Sequence, residues 1–466
     1  MSPRSGHPAP ARRGSRGRAG SPGASRPIEY SLLLTATLCL LAFGVVMVFS
    51  ASSTTALLGE SGDGAYYLKR TALFGVLGLL VMHLLAVRGA RPMRALTPLV
   101  LAGSIVLLVV VLVPGIGQEV NGARRWIGAG LIQVQPSEIA KLALILFGAH
   151  VLAARPKLVA GIGPMAPFLG VVALICGLVV LEPDLGTAIV ACLAAAMLLV
   201  AAGARLRDLA LLGAILGAVV IVMIAVEPYR MERLTGFLNP GTDPGGSGFQ
   251  AIQAKIALGS GGILGTGLGE SLQKAFYLPE AHTDMIAAVI GEELGLVGIV
   301  GLVGLYGLFG YAGLRIAQRA RDRYGKLLAV GLTSLVLVQA VVNLFAVLGL
   351  APLTGVPLPF VSYGNSSMLV MLAAVGLLLN VARGGTVGMA APRGAPARAP
   401  RRRSTRGRAD GRLGGVEADR SGRRSARAPA AKRSARKVAK PKGRNSSRGN
   451  RGTRGSRARG RRRATG

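Results

Sequence analysis

A carboxylate at the start of an apolar segment is the residue best placed for chemistry in this chain. Asp284 follows a long polar loop within the stretch Phe276–Gly295, and Glu292 and Glu293 come two to three helical turns later. A carboxylate inside a bilayer costs about 2.5–3.5 kcal/mol on insertion scales, so such residues usually mark a site. The spacing also fits a plain helix cap at Asp284. On an ideal helix Glu292 is offset from Asp284 by about 80° and Glu293 by about 180°, so we expect Glu292 to face the same cavity.

The elements that must position these carboxylates are membrane helices. The 466 residues are 51% hydrophobic yet carry a formal net charge of +35, which requires charged and apolar residues to be segregated. Apolar segments of about 18–25 residues recur, long enough to span a bilayer, and a soluble domain would not repeat them. The sequence predicts an all-α polytopic membrane protein with about ten transmembrane helices, at about 31–51, 70–87, 96–114, 137–153, 165–181, 185–202, 207–226, 286–314, 327–349 and 364–383.

The basic loops predict the orientation of these helices. Lys and Arg concentrate in alternate connections, at Arg88, Arg91, Arg94, Arg155, Lys157, Arg205, Arg207, Arg315, Arg319, Arg321, Arg323 and Lys326. If these connections are cytoplasmic, both termini are cytoplasmic too. Asp284, Arg125, Asp184 and the SYGNSS segment from Ser362 then all fall on the outer side, so we expect one external site.

The two tails carry much of the charge. Residues 1–29 form a basic tail rich in Arg, Gly, Ser and Pro, and residues 384–466 form a second one; about +25 of the net charge lies from Arg383 onward. Neither tail has the apolar residues for a core, so we expect both to be disordered. The C-terminal tail fits anionic lipid at the inner leaflet or acidic cytosolic proteins, or it is a solvated topology anchor. Nucleic acid is not expected, because the tail lacks aromatic residues for base stacking.

The connection between the seventh and eighth predicted helices, at about 227–283, is the longest loop. It contains the run GSGGILGTGLGES from Gly259. The run follows no strand and opens no βαβ unit, so a nucleotide site is not expected. We expect a flexible extracytoplasmic segment with short helices that lie on the membrane and cover the site, because loops this long are often lids.

Four stretches of wording carry a family resemblance: Phe276–Gly295, NGARRWIGAGLIQVQPSEIAKLA from Asn121, EPDLGTA from Glu182, and LTGVPLPFVSYGNSSML from Leu353. They resemble, in order, the signature blocks of the SEDS family, polytopic bacterial glycosyltransferases that polymerise peptidoglycan. The resemblance covers about 30–383, the predicted transmembrane domain. The wording GVVMVFSASS, YRMERLTGFLNP and LPFVSYG resembles the cell-division branch of the family more than its elongation branch.

The resemblance implies a substrate and a reaction. The substrate is lipid II, a disaccharide-peptide on undecaprenyl pyrophosphate; a sugar hydroxyl attacks the anomeric carbon of the lipid-linked glycan and the pyrophosphate-lipid leaves. This chemistry needs a general base and cationic donors near the leaving group. The catalytic aspartate of the family falls on Asp284, within PEAHTD, and partial shielding at the membrane edge should raise its pKa. Met285 replaces the Phe common in the family, which we expect to change packing rather than chemistry.

Glu138 and Lys141 lie three residues apart at the start of the fourth predicted span, so they share a helix face. The spacing alone allows an ion pair that only makes both residues tolerable in the membrane. The family pattern QPSExxK implies a supporting role beside the aspartate. Glu138 would position a metal or the acceptor hydroxyl, and Lys141 would meet the pyrophosphate.

The remaining predicted substrate-binding residues, besides Glu292, are Arg125, Asp184, Ser362 and Ser366. Arg125 precedes the single tryptophan; a guanidinium suits phosphate binding, although interfacial anchoring would also explain an Arg-Trp pair. Asp184 lies in the EPDLGT turn, where it could also simply cap a helix. The two serines belong to a block that resembles the SYGGSS of the family. Asn365 replaces its second glycine, the least harmful change if that position needs φ > 0.

Metal ligands and disulfides are not indicated. Cys39, Cys176 and Cys192 lie in predicted spans without ligand spacing and are interpreted as small packing residues. His282 has no other His or Cys nearby in sequence, and it is a candidate second proton carrier. A divalent cation, Mg²⁺ or Mn²⁺, that helps the pyrophosphate leave stays an open alternative.

The leading prediction is a peptidoglycan glycosyltransferase of the bacterial cell membrane that polymerises lipid II at the outer face during septal wall synthesis in cell division. The resemblance implies a cognate class B penicillin-binding protein and other division proteins as partners. An elongation-type polymerase, a lipid II flippase and a division scaffold stay open. Transporters place ionisable groups near the midplane, often in repeated broken helices, whereas the charges here cluster at the outer mouth. The intact PEAHTD and QPSEIAK blocks argue against an inert scaffold.

Overall fold

A computed structural model describes residues 27–384 of the protein, apart from 59–61, 121, 131, 243–244, 247 and 275–276. Within this part, the α-helices are α1 Ile28–Leu58, α2 Tyr66–Arg88, α3 Ala90–Val111, α4 Pro136–Ala154, α5 Ile162–Leu181, α6 Leu185–Ala202, α7 Leu206–Val226, α8 Pro228–Leu238, α9 Phe249–Ser260, α10 Ile286–Arg319, α11 Arg323–Val347 and α12 Asn365–Ala382. The strands are β1 Gly117–Val120, β2 Ala123–Ala129 and β3 Ile132–Val134.

Ten of the described helices, all except α8 and α9, are long and apolar enough to cross a membrane. The predicted polytopic helical fold is confirmed, and the long loop between the seventh and eighth spans contains α8 and α9. The first helix begins at Ile28, inside the predicted N-terminal tail, because Glu29 is buried and pairs with Arg319 at 2.6 Å. Residues 1–26 and 385–466 of the predicted tails lie outside the described residues.

The core lies where α11 packs against α4, α6 and α10, while α12 packs against α2 and α1 against α10. Close approach is achieved through small residues. A Cβ at Gly44 of α1 would overlap the backbone of Phe360 and Val361, so glycine lets α1 contact the segment before α12. By contrast, α7 lies outside this core, with Asp208 as its single buried residue.

A small antiparallel sheet lies between α3 and α4, an element that the sequence did not predict. The strand order is β1-β2-β3, with Gln118 opposite Trp126 and Gly128 opposite Gln133. Gly122 and Gly130 have φ of +73° and +62°, a conformation that glycine adopts without steric cost and that tight turns require. The strands are too short and mixed in composition to give a period-two pattern.

The eighth membrane helix, α10, is broken at Gly295, which has φ +63° and ψ −158°. The long loop fills this break with backbone hydrogen bonds: the amides of Thr266 and Gly267 donate to the carbonyls of Glu292 and Glu293, each at 3.0 Å. Carbonyls freed by a break inside an apolar helix need such partners, because lipid supplies none. The loop is therefore hydrogen-bonded to α10 at the break.

Glycine in the run Gly259–Ser271 allows this backbone-to-backbone docking. A Cβ at Gly261 would overlap the carbonyl of Gly291, and one at Gly265 would overlap the carbonyl of Glu293. These glycines are therefore required by the close packing of the loop against α10.

A buried ion pair between Lys274 and Glu293 also attaches this loop to α10. Nζ of Lys274 lies 2.9 Å from Oε1 of Glu293, and the two side chains are 5% and 0% exposed. The hydroxyl of Ser50 on α1 donates to the same carboxylate at 2.7 Å. The pair therefore ties α1, the loop and α10 together.

Replacing Glu293 by Ala should lower the thermal stability of the purified protein strongly. The variant leaves the buried ammonium of Lys274 without its carboxylate, a change that typically costs about 3–5 kcal/mol. Glu119→Ala is the matched control, because it removes an exposed pair with Arg124 at 3.2 Å, typically worth under about 1 kcal/mol. Equal shifts in Tm for the two variants would show that the buried pair does not hold the loop.

Candidate active site

Asp284 immediately precedes the residue that caps α10, and its backbone is held by α11. Nδ2 of Asn343 donates to the carbonyl of Asp284 at 2.7 Å and to the carbonyl of Val356 at 2.8 Å. The carboxylate faces the segment after α11, since a Cβ on Gly355 would lie 4.0 Å from Oδ2 of Asp284. One buried amide thus fixes both the candidate base and the chain that passes in front of it.

The surroundings of Asp284 make it more basic than an ordinary aspartate. Burial and the nearby Glu280 carboxylate raise the pKa of Asp284 to about 6, because both disfavour the charged form. The Thr283 hydroxyl, 3.3 Å from Oδ1, and the charge of Arg233 lower that pKa by smaller amounts. The direction agrees with the sequence-based prediction. A carboxylate of this kind is ionised at neutral pH yet basic enough to accept a proton.

The rings of Tyr67, His282 and Tyr363 pack against one another, and His282 lies two residues before Asp284 in the chain. The centroid of the Tyr67 ring lies 4.3 Å from that of His282 and 4.9 Å from that of Tyr363, and the amide of Tyr363 donates to the carbonyl of His282 at 2.9 Å. Burial lowers the pKa of His282, so its imidazole is neutral at pH 7. A neutral ring can accept or donate a proton, which keeps the predicted role of proton carrier chemically feasible.

Glu138 and Lys141 form the buried ion pair that their spacing allowed. Oε1 of Glu138 lies 2.8 Å from Nζ of Lys141, and both side chains are 1% exposed. The ammonium also donates to Oε1 of Gln339 on α11 at 2.6 Å. Nε2 of Gln339 then donates to the carbonyl of Pro357 at 3.0 Å. In this arrangement the pair supports the segment in front of Asp284, and Lys141 has one of its three N–H groups left to donate.

The connection between α11 and α12, residues 348–364 (the central segment), has no regular secondary structure. Its polar backbone is satisfied by side chains from several helices. Besides the bonds from Asn343 and Gln339, Tyr306 of α10 donates to the carbonyl of Pro359. Ser362 accepts from the amide of Leu358 at 2.8 Å, so this predicted substrate-binding residue also shapes the segment itself.

Arg125, Asp184 and Ser366 are brought together around Glu182 and Gln135. Nε of Arg125 donates to the carbonyl of Glu182 at 3.1 Å. Asp184 caps α6, accepting from the amide of Thr187 at 3.0 Å. Nε2 of Gln135 reaches Asp184 at 3.3 Å, while its amide donates to the hydroxyl of Ser366 at 3.0 Å. The cap that sequence analysis offered as an alternative for Asp184 is therefore present.

Glu182 is an unusual member of this group. Its side chain is fully buried, and both carboxyl oxygens lack a hydrogen-bond partner among the described residues. Burial and the neighbouring Asp184 raise the pKa of Glu182 to about 8, so it is largely protonated at neutral pH. In the sequence, Glu182 is recognisable only as the first residue of the EPDLGTA stretch.

Glu292 does not join these residues, contrary to the prediction. Its carboxylate accepts from the hydroxyl of Ser271 at 2.5 Å and from the amide of Leu272 at 3.0 Å. Both oxygens are used to anchor the long loop at the break in α10. The ideal-helix angle to Asp284 was a poor guide, because the loop packs onto that helix face.

The chain matches the family model FTSW_RODA_SPOVE, described as cell cycle protein, over residues 30–386. The chain belongs to this family. Stage V sporulation protein E of Bacillus subtilis is 42% identical over 353 residues, 76% of this chain and 96% of that protein. The probable peptidoglycan glycosyltransferase FtsW of Trichlorobacter lovleyi is 43% identical over 364 residues, 77% of this chain and 94% of that protein.

Solved structures agree. A chain of a peptidoglycan synthase complex that coordinates polymerization and crosslinking is 32% identical, with a TM-score of 0.63 over 78% of this chain and 99% of that chain. The rod shape determining protein RodA of Thermus thermophilus is 31% identical, with a TM-score of 0.56 over 75% of this chain and 95% of that chain. The predicted SEDS family is confirmed, and the enzyme class predicted with it is the class named for the FtsW relatives.

Gln339 and Asn343 are the residues of this SEDS chain that sequence analysis missed. They lie four residues apart on α11, hence on one face, and they hold Lys141 and Asp284 respectively. The available signal was two amides in the predicted span 327–349, because buried polar groups in lipid require partners. The helix face that carries them links the predicted base to the predicted ion pair.

No group of three or more His, Cys, Asp or Glu side chains that could hold a metal ion occurs in the part of the chain that the structure describes. The Glu280 carboxylate is close enough to both His282 and Asp284 to act on the pKa of each. A Mg²⁺ or Mn²⁺ ion held mostly by substrate phosphates needs only one or two protein carboxylates. The predicted cation alternative therefore stays open.

Asn343→Ala should slow glycan-strand formation from lipid II about 100-fold with little change in KM, because a small misplacement of a catalytic group costs rate rather than binding. Asn380→Ala is the matched control. Asn380 is likewise a buried amide, and it donates to the carbonyl of Ala86 at 2.9 Å. It lies near the C-terminal end of α12, whereas Ser366 lies at the N-terminal end. Both variants should lower Tm, but only the first should lower kcat. Equal kcat values for the two would contradict a positioning role for Asn343.

Proposed function

We propose that this protein is a peptidoglycan glycosyltransferase that polymerises lipid II into glycan strands, with Asp284 as general base. The observation that carries the proposal is the fixed backbone of Asp284, together with its carboxylate of raised pKa next to the central segment. A base near neutrality is what activation of a sugar hydroxyl needs. The family and the names of the FtsW relatives support the enzyme class.

In this proposal the attacking hydroxyl gives its proton to Asp284 as its oxygen bonds to the anomeric carbon. The bond to the pyrophosphate-lipid breaks, and negative charge grows on that leaving group. Arg125 is the cation we assign to it, since guanidinium groups bind phosphate oxygens well. Glu138 and Lys141 position the central segment, and Lys141 reaches the leaving group only if its contact with Gln339 opens.

We place the reaction at the outer face of the bacterial cell membrane, with both termini in the cytoplasm. The support is the clustering of Lys and Arg in alternate connections, together with the long loop between α7 and α10. The carboxylates at the break in α10 are already bound by that loop, so the break does not resemble an open transport site. This favours a polymerase over a flippase.

We further propose a role in septal wall synthesis with a class B penicillin-binding protein and other division proteins. The wording YRMERLTGFLNP and LPFVSYG supports the FtsW branch. Because the FtsW and sporulation relatives are almost equally similar, a sporulation or elongation role is the competing assignment. The synthase complex among the similar structures supports a partner enzyme. Anionic lipid or acidic proteins remain the proposed ligands of the C-terminal tail.

Asp284→Asn should abolish strand formation by the full-length protein bound to its penicillin-binding partner. Loss of a general base typically costs about 10²–10⁴ in rate, which would bring the assay to background. Asp63→Asn is the matched control, because it makes the same chemical change at an exposed carboxylate that pairs with Lys69.

Strands from both variants in equal amounts would exclude Asp284 as the base and direct attention to Glu138. If wild-type protein with verified partner makes no strands, the polymerase proposal itself is wrong, and the flippase or scaffold assignment replaces it.

A further inference from the structure

A cavity of about 490 Å³ lies between α8, α9 and the end of α11. None of the substrate-binding residues predicted from the sequence lines it. Its size is within the range of about 300–1,000 Å³ that is usual for ligand pockets. Two cations, one carboxylate and two aromatic rings line its walls, together with small residues: Arg233, Lys255, Glu232, Phe237 and Phe249 are the larger members.

The cavity adjoins the candidate base. Leu353 lies in its wall, and Arg233 donates to the carbonyl of Leu353 at 3.4 Å. The charge of Arg233 is close enough to Asp284 to act on its carboxylate. Ala346 and Val347 of α11 also line the cavity. They follow the residue that holds Asp284 by three and four positions, a rise of about 5–6 Å.

Three residues of α11 therefore mark three successive positions along the helix axis. Gln339 holds Lys141, Asn343 holds Asp284, and Ala346 lines the cavity. Each position lies about one helical turn further along the helix than the last. The cavity is on the side of Asp284 away from Lys141, and in the proposed orientation this is the side away from the lipid.

The side chain of Lys255 passes close to Gly349 where both residues line the cavity. Gly349, in the turn after α11, has φ +68°, and a Cβ there would lie 2.9 Å from Cε of Lys255. A larger residue at this position would push the lysine stem aside. Lys255 forms no ion pair with any carboxylate that the structure describes, although surface lysines readily pair. With Arg233 it gives the cavity an excess of one positive charge over Glu232.

We propose that this cavity is the subsite for the anionic stem peptide of the lipid-linked molecule whose hydroxyl is activated, with Lys255 and Arg233 binding peptide carboxylates. The inference rests on the proposed function. The pyrophosphate of that molecule is joined directly to its lipid and lies nearest the membrane, so it belongs to the level of Lys141 or below. The peptide extends outward from the sugar, to the level of the cavity. Phe237 and Phe249 supply apolar surface for the peptide side chains.

The test measures binding and turnover of two substrates by the full-length protein with its penicillin-binding partner. One is lipid II with free stem-peptide carboxylates, and the other is lipid II with those carboxylates amidated. Lys255→Glu should raise KM for the first about tenfold, the loss of roughly one charge-assisted hydrogen bond, with kcat nearly unchanged. It should leave KM for the amidated substrate at the wild-type value. Lys69→Glu, the same change in an exposed lysine outside the cavity, should alter neither.

Equal KM increases for both substrates would overturn the inference in favour of pyrophosphate binding, and no increase for either would overturn it outright. Dissociation constants measured in the Asp284→Asn background separate this question from catalysis. If wild-type protein makes strands but Lys255→Glu does not weaken lipid II binding, the inference alone is wrong. If no protein makes strands but Lys255→Glu weakens binding of the unamidated substrate only, the subsite stands and the polymerase proposal is wrong.

Discussion

The central segment is irregular backbone, and most of its stretch from Val356 to Ser362 is buried among membrane helices. Each backbone carbonyl or amide group left without a partner in apolar surroundings costs several kcal/mol. The helices therefore supply the partners: Gln339 binds Pro357, Asn343 binds Val356, and Tyr306 binds Pro359. The same two amides also bind Lys141 and Asp284. Gln339 and Asn343, which satisfy the backbone of the central segment, therefore also fix the positions of Lys141 and Asp284. Because both amides belong to α11, this helix makes the site rigid.

A second constraint acts at α10. The helix breaks at Gly295, and the Gly259–Ser271 run, Glu292 and Glu293 close the break. These carboxylates stabilise the attachment of the long loop, while the carboxylate of Asp284, just before the same helix, faces the central segment. The loop is consequently held at its C-terminal half, while α8 and α9 in its N-terminal half line the cavity of about 490 Å³.

Sequence reasoning reached the features that depend on long, regular patterns. The ten spans follow from length and hydropathy, and the position of Asp284 just before the eighth span follows from the order of residues in the sequence. The β-sheet around Trp126 escaped detection because three short strands give no periodic signal. Glu292 was misplaced because its partners, Ser271 and Leu272, come from a loop whose docking no helical angle predicts. Gln339 and Asn343 went unnoticed inside an apolar span, although polar side chains at membrane depth require partners.

In the proposed reaction, Asp284 acts as a base whose pKa is raised by burial and by Glu280. The most direct test is the pH dependence of kcat/KM for lipid II polymerisation by the wild-type protein in complex with its partner. The base must be deprotonated to accept a proton, so activity should be constant above neutral pH and should fall tenfold per pH unit below about 6. Activity that stays constant down to pH 4.5 would contradict the account, because a carboxylate with this pKa would already be almost fully protonated there.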